Sequence, residues 1–150
     1  MAANQIRAKC PFTGKVAIEL PGTSLEEARV VAKAAKHAFK SYQNVPLAQR
    51  KAIVQKALDL INAKKDVLSR ELTMQLGRPI AFSPKEIDTM RKRAEYMLSI
   101  ANKSLGDIPG QPEEGFCRVV KKKPLGPVLI SSAWNVRVTT TLAPLISTAI

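Results

Sequence analysis

Few side chains in this sequence have the chemistry for catalysis, and their spacing limits what they could do. A cysteine attacks as its thiolate, so a reactive one needs a nearby base, cation or helix N-terminus. Cys10 lies at the turn Pro11-Phe12-Thr13-Gly14, and Cys117 lies in an extended stretch. Both read as partly buried, unreactive thiols. They form no Cys-x-x-Cys pair, and the N-terminus Met1 to Phe12 has no apolar run that would make a secretory signal. Reduced thiols in a cytoplasmic setting are therefore expected. His37 has no Cys, Asp or second His at ligand spacing, so neither a metal site nor a base is expected there. Asn102-Lys103-Ser104 has the form of a glycosylation acceptor, which matters only in a secreted protein. Neither a Gly-x-Gly-x-x-Gly nor a Walker phosphate loop occurs. From residue types alone, Trp134-Asn135 closes a strand, with Trp134 as core.

The charge is unusual: 24 Lys and Arg against 12 Asp and Glu give a net charge of +12 over 150 residues. Such a balance permits attraction to nucleic acid or to an anionic surface. The dense clusters are Arg91-Lys92-Arg93 and Arg118 to Lys123, neither interleaved with aromatic residues nor part of a helix-turn-helix or RNA-binding signature. They read as solvated faces, so nucleic acid is not the expected partner. No stretch approaches the roughly 18 apolar residues of a membrane span. The 45% apolar fraction is ordinary for one globular domain, which at this length buries roughly 70% of its unfolded surface.

The positioning elements follow from periodicity. Val16, Ile18 and Leu20 alternate along a strand closed by Pro21-Gly22. Ser24 with Glu27 predicts a capping box opening a helix, whose apolar stripe is Val31, Ala35, Ala38, Phe39 and Tyr42. A helix begins near Pro46, with Ile53, Val54, Ala57, Leu58 and Ile61 facing inward. The chain continues through Val67, Leu68 and Leu72 to Leu76, where Gly77 supplies a stop. Ser83-Pro84-Lys85-Glu86 predicts a second capped start: Ser83 as cap, Pro84 first in the helix and Glu86 returning the bond. That helix packs Ile87, Met90, Ala94, Met97, Leu98 and Ala101. Gly106 to Gly115 is a polar loop and Phe116 to Val120 is extended. Val128-Leu129-Ile130 reads as a strand buried on both faces of a parallel sheet. Leu142, Leu145, Ile146 and Ala149 resume helical spacing up to Ile150. That last helix has no capping residue and reads as cut short.

The order of these pieces resembles the N-terminal part of the NAD(P)-dependent aldehyde dehydrogenase superfamily from about residue 10 to 135. Cys10 to Lys15 is similar to its Pro-Ala-Thr-Gly-Glu turn, and Ala34-Ala35-Lys36-His37-Ala38-Phe39 to its Ala-Ala-x-x-Ala-Phe helix. Pro46 to Arg50 resembles its Pro-x-x-x-Arg start. Glu71 to Pro79 resembles Leu-x-x-Glu-x-Gly-Lys-Pro, with Gln75 where an acid is usual and Arg78 in place of lysine. Pro124-Leu125-Gly126-Pro127-Val128 to Ala133-Trp134-Asn135 resembles Pro-Leu-Gly-Val to Pro-Trp-Asn, with Ala133 replacing proline. Beyond Asn135 the likeness fades, because Val136-Arg137-Val138-Thr139 stands where an aromatic and a proline are usual.

The resemblance implies an α/β fold: N-terminal helices plus the beginning of a Rossmann-like parallel-sheet NAD(P)-binding domain, incomplete in residues 1–150. Residues 10–115 would form the N-terminal strand and helices, 116–123 an arm-like extended segment, and 124–150 the start of the dinucleotide-binding sheet. It further implies NAD(P)-dependent oxidation of an aldehyde to a carboxylic acid through a cysteine thiohemiacetal in the full-length enzyme. On this likeness Asn135 is the oxyanion donor, and Ser131, Ser132, Ala133 and Trp134 line the nicotinamide end of the NAD or NADP cleft. The nucleophile, the general-base glutamate and the later Lys-Pro segment have no counterpart here, so neither activity nor cofactor binding is expected of this stretch alone. The alternatives are a non-enzymatic interaction fragment that forms a homo-oligomer through 116–123, and, behind it, a basic nucleic-acid-binding module.

Overall fold

The computed structural model describes residues 5–133, 135 and 137–149. It opens with an antiparallel hairpin of β1 (Ile6–Lys9) and β2 (Val16–Leu20), in which Ala8 faces Ile18 and the register shifts between Ala8 and Lys9. The alternation of β2 is legible in the sequence; β1, with alternate charged residues and little apolar surface, is recognisable only once paired. Cys10 N–H donates to the Lys15 carbonyl and Gly14 N–H to the Cys10 carbonyl, each at 2.8 Å.

Helix α1 (Leu25–Tyr42) starts with the predicted capping box. Ser24 Oγ accepts from the Glu27 amide at 3.2 Å, and Glu27 Oε2 accepts from the Ser24 amide at 2.7 Å. Hydrogen bonds from the Ser24 backbone, then its side chain, hold the Glu27 carboxyl below the ordinary carboxylate value. A lowered folded value means that the box contributes above the unfolded value of about 4.3 and is lost as pH falls through the folded one. Protection of the amides in the first turn of α1, taken relative to the intrinsic exchange rate at each pH, should therefore fall on acidification. Glu27→Gln, which keeps the reciprocal bond without a titrating group, should abolish that pH dependence.

The predicted apolar stripe of α1 is not a buried one. Val31 is 64% exposed, Ala35 and Ala38 are exposed, and only Phe39 and Tyr42 are half-buried. Helical period fixes that these side chains share a face but not that another element covers it, and no described helix lies along this one.

The core forms instead between α2 (Leu47–Ala63), α3 (Lys65–Leu76), α4 (Ser83–Leu105) and α5 (Arg137–Ala149). It joins Val54 and Leu58 of α2, Leu72 of α3, Ile87, Met90, Ala94, Leu98 and Ala101 of α4, and Ile146 of α5. Met97 packs at its margin, whereas Ile53 and Val67 point outward, 55% and 58% exposed. The chain turns at Lys64, dividing the predicted continuous stretch into α2 and α3. Gly77 ends α3 as expected, left-handed at φ +73°; a Cβ there would lie 2.8 Å from Pro11 Cγ, where the hairpin turn meets the helix end. Lys65 Nζ, 2.6 Å from Asp88 Oδ1, ties α3 to α4.

The predicted capping box at Ser83 does not form. Phe82 occupies the cap position, and no side chain caps the helix. Ser83, fully buried, is hydrogen-bonded through its hydroxyl to that of Thr73 at 2.9 Å, and Glu86 turns to Arg78. Tertiary partners outcompete the local motif because both side chains are buried where such partners are available.

After α4, β3 (Ile108–Pro109) pairs antiparallel with β4 (Val119–Val120), and Glu113 bridges Phe116. Val128-Leu129-Ile130 is not a strand, contrary to the sequence expectation. A strand in a parallel sheet is held by ladders on its flanks. The described residues form only two two-stranded antiparallel sheets, neither of which includes this run. Leu129 is accordingly 96% exposed.

Candidate functional site

Asn135 occupies a bend two residues before α5 and is exposed. Its position is set by that helix rather than by the end of a strand. Leu142 and Ile146 pack α5 onto the core, and Pro144 lies within the helix. At the C-terminal end the Tyr42 hydroxyl donates to the Ala149 carbonyl at 2.8 Å, so one of the terminal carbonyls expected to be uncapped has a partner. At the N-terminal end the Val138 amide donates to Glu86 Oε1 at 3.0 Å. Glu86 Oε2 accepts from Arg78 Nη1 at 2.7 Å, with the Glu86 side chain 1% exposed and that of Arg78 37%.

Ser131, Ser132 and Ala133 form an exposed segment without regular structure leading to this bend. Trp134, the fourth residue assigned to the cleft by resemblance, lies outside the described residues. The structure thus leaves Asn135 beside a helix start, with Ser131, Ser132 and Ala133 open to solvent. Sequence reasoning missed Glu86 and Arg78 as neighbours of this helix start. Only a capping signal was visible at Glu86, and its use 52 residues downstream carries no local signature.

The cysteines differ from each other more than the sequence suggests. Cys10 is 1% exposed; the Thr13 side chain first, then the backbone of Thr13 and Phe12, hold its thiol below the usual value against the opposing effect of burial. Cys117 is exposed rather than partly buried, in the loop between β3 and β4. Among the described residues no three His, Cys, Asp or Glu side chains gather as a metal site, and no helix is long and apolar enough to cross a membrane.

The basic clusters are partly engaged within the chain. Arg91 Nε donates to Glu95 Oε1 at 2.7 Å, Arg118 pairs with Glu113, and Lys122 Nζ donates to the Ser104 carbonyl at 2.6 Å. A groove of about 590 Å³ runs between the α1 face, at Ala35, Phe39 and Tyr42, and the segment Lys122–Val128, with Thr148 at its margin. Thr148 lies in the last turn of α5, whereas Asn135 precedes the first. A helix of that length spans roughly 20 Å, so groove and bend lie at opposite ends of α5.

A family model described as the aldehyde dehydrogenase family matches residues 1–148. The match therefore continues through α5, beyond the point where the sequence likeness was expected to fade. The NADP-dependent succinate-semialdehyde dehydrogenase 2 of Schizosaccharomyces pombe is 28% identical over 126 residues, 83% of this chain and 26% of that protein. The chain spans about a quarter of the length of the curated relatives it matches. Among solved structures, a salicylaldehyde dehydrogenase of Pseudomonas putida complexed with salicylaldehyde superposes with a TM-score of 0.88 at 18% identity, covering 99% of this chain and 31% of that one. An NADP-dependent glyceraldehyde-3-phosphate dehydrogenase of Bacillus halodurans complexed with NADP gives 0.87 at 21% identity, covering 97% and 32%. At such identities the likeness is one of fold.

Proposed function

Since the chain belongs to the aldehyde dehydrogenase family and forms an N-terminal portion of its α/β fold, we propose that it serves NAD(P)-dependent oxidation of an aldehyde to a carboxylic acid by contributing the oxyanion donor Asn135. In this reading, aldehyde is the substrate of the full-length enzyme, which works in the cytoplasm, and 124–150 begins its dinucleotide-binding unit. The observation that carries the reading is the position of Asn135: an exposed amide on a bend whose following helix is fixed at both ends. Attack of a cysteine thiolate on an aldehyde places negative charge on the former carbonyl oxygen. A side-chain N–H that needs no reorganisation stabilises that charge as it develops.

The residues present do not by themselves fit NAD or NADP. Ser131, Ser132 and Ala133 are exposed, and no strand among the described residues frames them; they would supply one lip of a cleft. Neither Cys10, sealed in the hairpin turn, nor Cys117, on the β3–β4 hairpin, takes the nucleophile's role. The stretch alone should therefore be inactive. With purified chain, an aldehyde and NAD or NADP, the near-ultraviolet absorbance of reduced nicotinamide should not rise; enzyme-dependent turnover would refute the inactivity.

A second reading has its own observation. Phe116, Val119 and Val120 are 64%, 41% and 61% exposed on a hairpin of only two strands. Residues 116–123 would offer that unpaired edge to a second copy, making a homo-oligomer through strand pairing. Sedimentation at rising concentration should then show association that Val119→Pro, which removes an edge donor, weakens.

A further inference from the structure

We propose that Glu86 is a positioning residue: its buried carboxylate, anchored by Arg78, caps the start of α5 and so fixes the bend that carries Asn135. The first amides of any helix lack intrahelical acceptors and carry a partial positive charge, which a carboxylate satisfies in both respects. Side chains usually do this for their own helix. Here the carboxylate comes from α4, and its two oxygens divide the work, Oε1 accepting from Val138 N–H and Oε2 from the Arg78 guanidinium.

The burial makes the arrangement specific. A carboxylate almost wholly removed from water is tolerated only with charge compensation and hydrogen bonds, and Arg78 with the α5 terminus supplies them. Arg78 directly follows Gly77, whose left-handed conformation turns the chain at the end of α3. The end of α3, the start of α4 and the start of α5 thus converge on one side chain. Farther along, α5 is held independently by Leu142, Ile146 and the Tyr42 hydroxyl. Losing the carboxylate should therefore loosen the first turn of α5 and the bend before it, not the bundle. The catalytic meaning of this clamp rests on the reading of Asn135 as oxyanion donor; the contact itself does not, so it can be tested in the chain as it stands.

Amide proton shifts and hydrogen exchange would be measured by NMR on the 150-residue protein and on Glu86→Gln, Glu86→Ala and Arg78→Met. In Glu86→Ala, the Val138 amide should exchange faster by about tenfold or more, the effect expected when a charge-assisted hydrogen bond is lost. The Asn135 side-chain amide resonances should move with it, while Leu58 and Ala94 keep their protection. Glu86→Gln keeps one acceptor oxygen, which can face Val138 N–H, but loses the charge and the second acceptor that serves Arg78. It should restore much of that protection while moving the Val138 proton upfield, and Arg78→Met should weaken protection at Val138 without abolishing it. An unchanged Val138 proton in Glu86→Gln would overturn the proposal. So would an equal loss of protection at Val138, Leu58 and Ala94 in that variant, which would make Glu86 a support of the whole bundle. Should Glu86→Ala not fold, Glu86→Gln and Arg78→Met still decide. If Val138 depends on Glu86 but Asn135 proves dispensable for turnover in a full-length enzyme, the clamp stands and the oxyanion reading falls.

Discussion

Leu58→Ala should lower the unfolding free energy by about 2–5 kcal/mol, seen as a lower urea midpoint with an unchanged slope. Leu58 is 1% exposed within the cluster that joins α2 to Ile87 and Met90 of α4, themselves 1% and 0% exposed. Removing its isobutyl group sacrifices both the transfer free energy and the packing contacts of its neighbours, since helices crossing at a shared core cannot simply close the gap. A domain of this size is stable by about 5–15 kcal/mol, so the loss is a large part of the total. Val31→Ala on α1 provides the contrast. Val31 belongs to an apolar stripe of similar regularity but is 64% exposed, and its truncation should stay within about 0.5 kcal/mol. If the two substitutions cost the same, the α1 face is covered in solution and the core extends beyond α2–α5.

That contrast also marks how far the sequence is legible. In α4, Ile87, Met90, Ala94, Leu98 and Ala101 recur at helical spacing and are all buried, because α2, α3 and α5 contact the same helix. The stripe of α1 has the same spacing and no such cover. Periodicity is a property of one element, whereas burial is a property of two. Val128-Leu129-Ile130 fails for a related reason: β-branched apolar residues favour a strand, but a strand exists only through its neighbours. Ser24 and Ser83 differ in the same way. Ser24 is near the surface, so Glu27 is its best partner, and the box forms as written. Ser83 is buried beside Thr73, and Glu86 has Arg78 and the start of α5 within reach, so the same four-residue signal is overridden. Asn135 stands out in the sequence only as part of an ordered set of motifs, and at the end of a strand rather than on a bend. What holds that bend is a contact between residues far apart in the chain, which no local spacing encodes.

The largest functional effect should come at that bend. In a full-length aldehyde dehydrogenase carrying this chain as its N-terminal part, Asn135→Ala should reduce kcat about 10²–10³-fold, the usual cost of losing one oxyanion donor. KM for the aldehyde should change little, because in the proposed role the amide meets full negative charge only after thiolate attack, and a contact made in the transition state is lost from kcat rather than from ground-state binding. Asn135→Asp sharpens the test. It is nearly isosteric, but at neutral pH its carboxylate accepts hydrogen bonds and repels the developing oxyanion, so it should be slower than the alanine variant rather than closer to wild type. A residue that merely shaped the bend before α5 would give the opposite order, since Asp reproduces the size and local hydrogen bonding of Asn better than Ala does. The ranking of these two variants, with KM recorded for each, therefore separates a donor to the reacting oxygen from a structural asparagine.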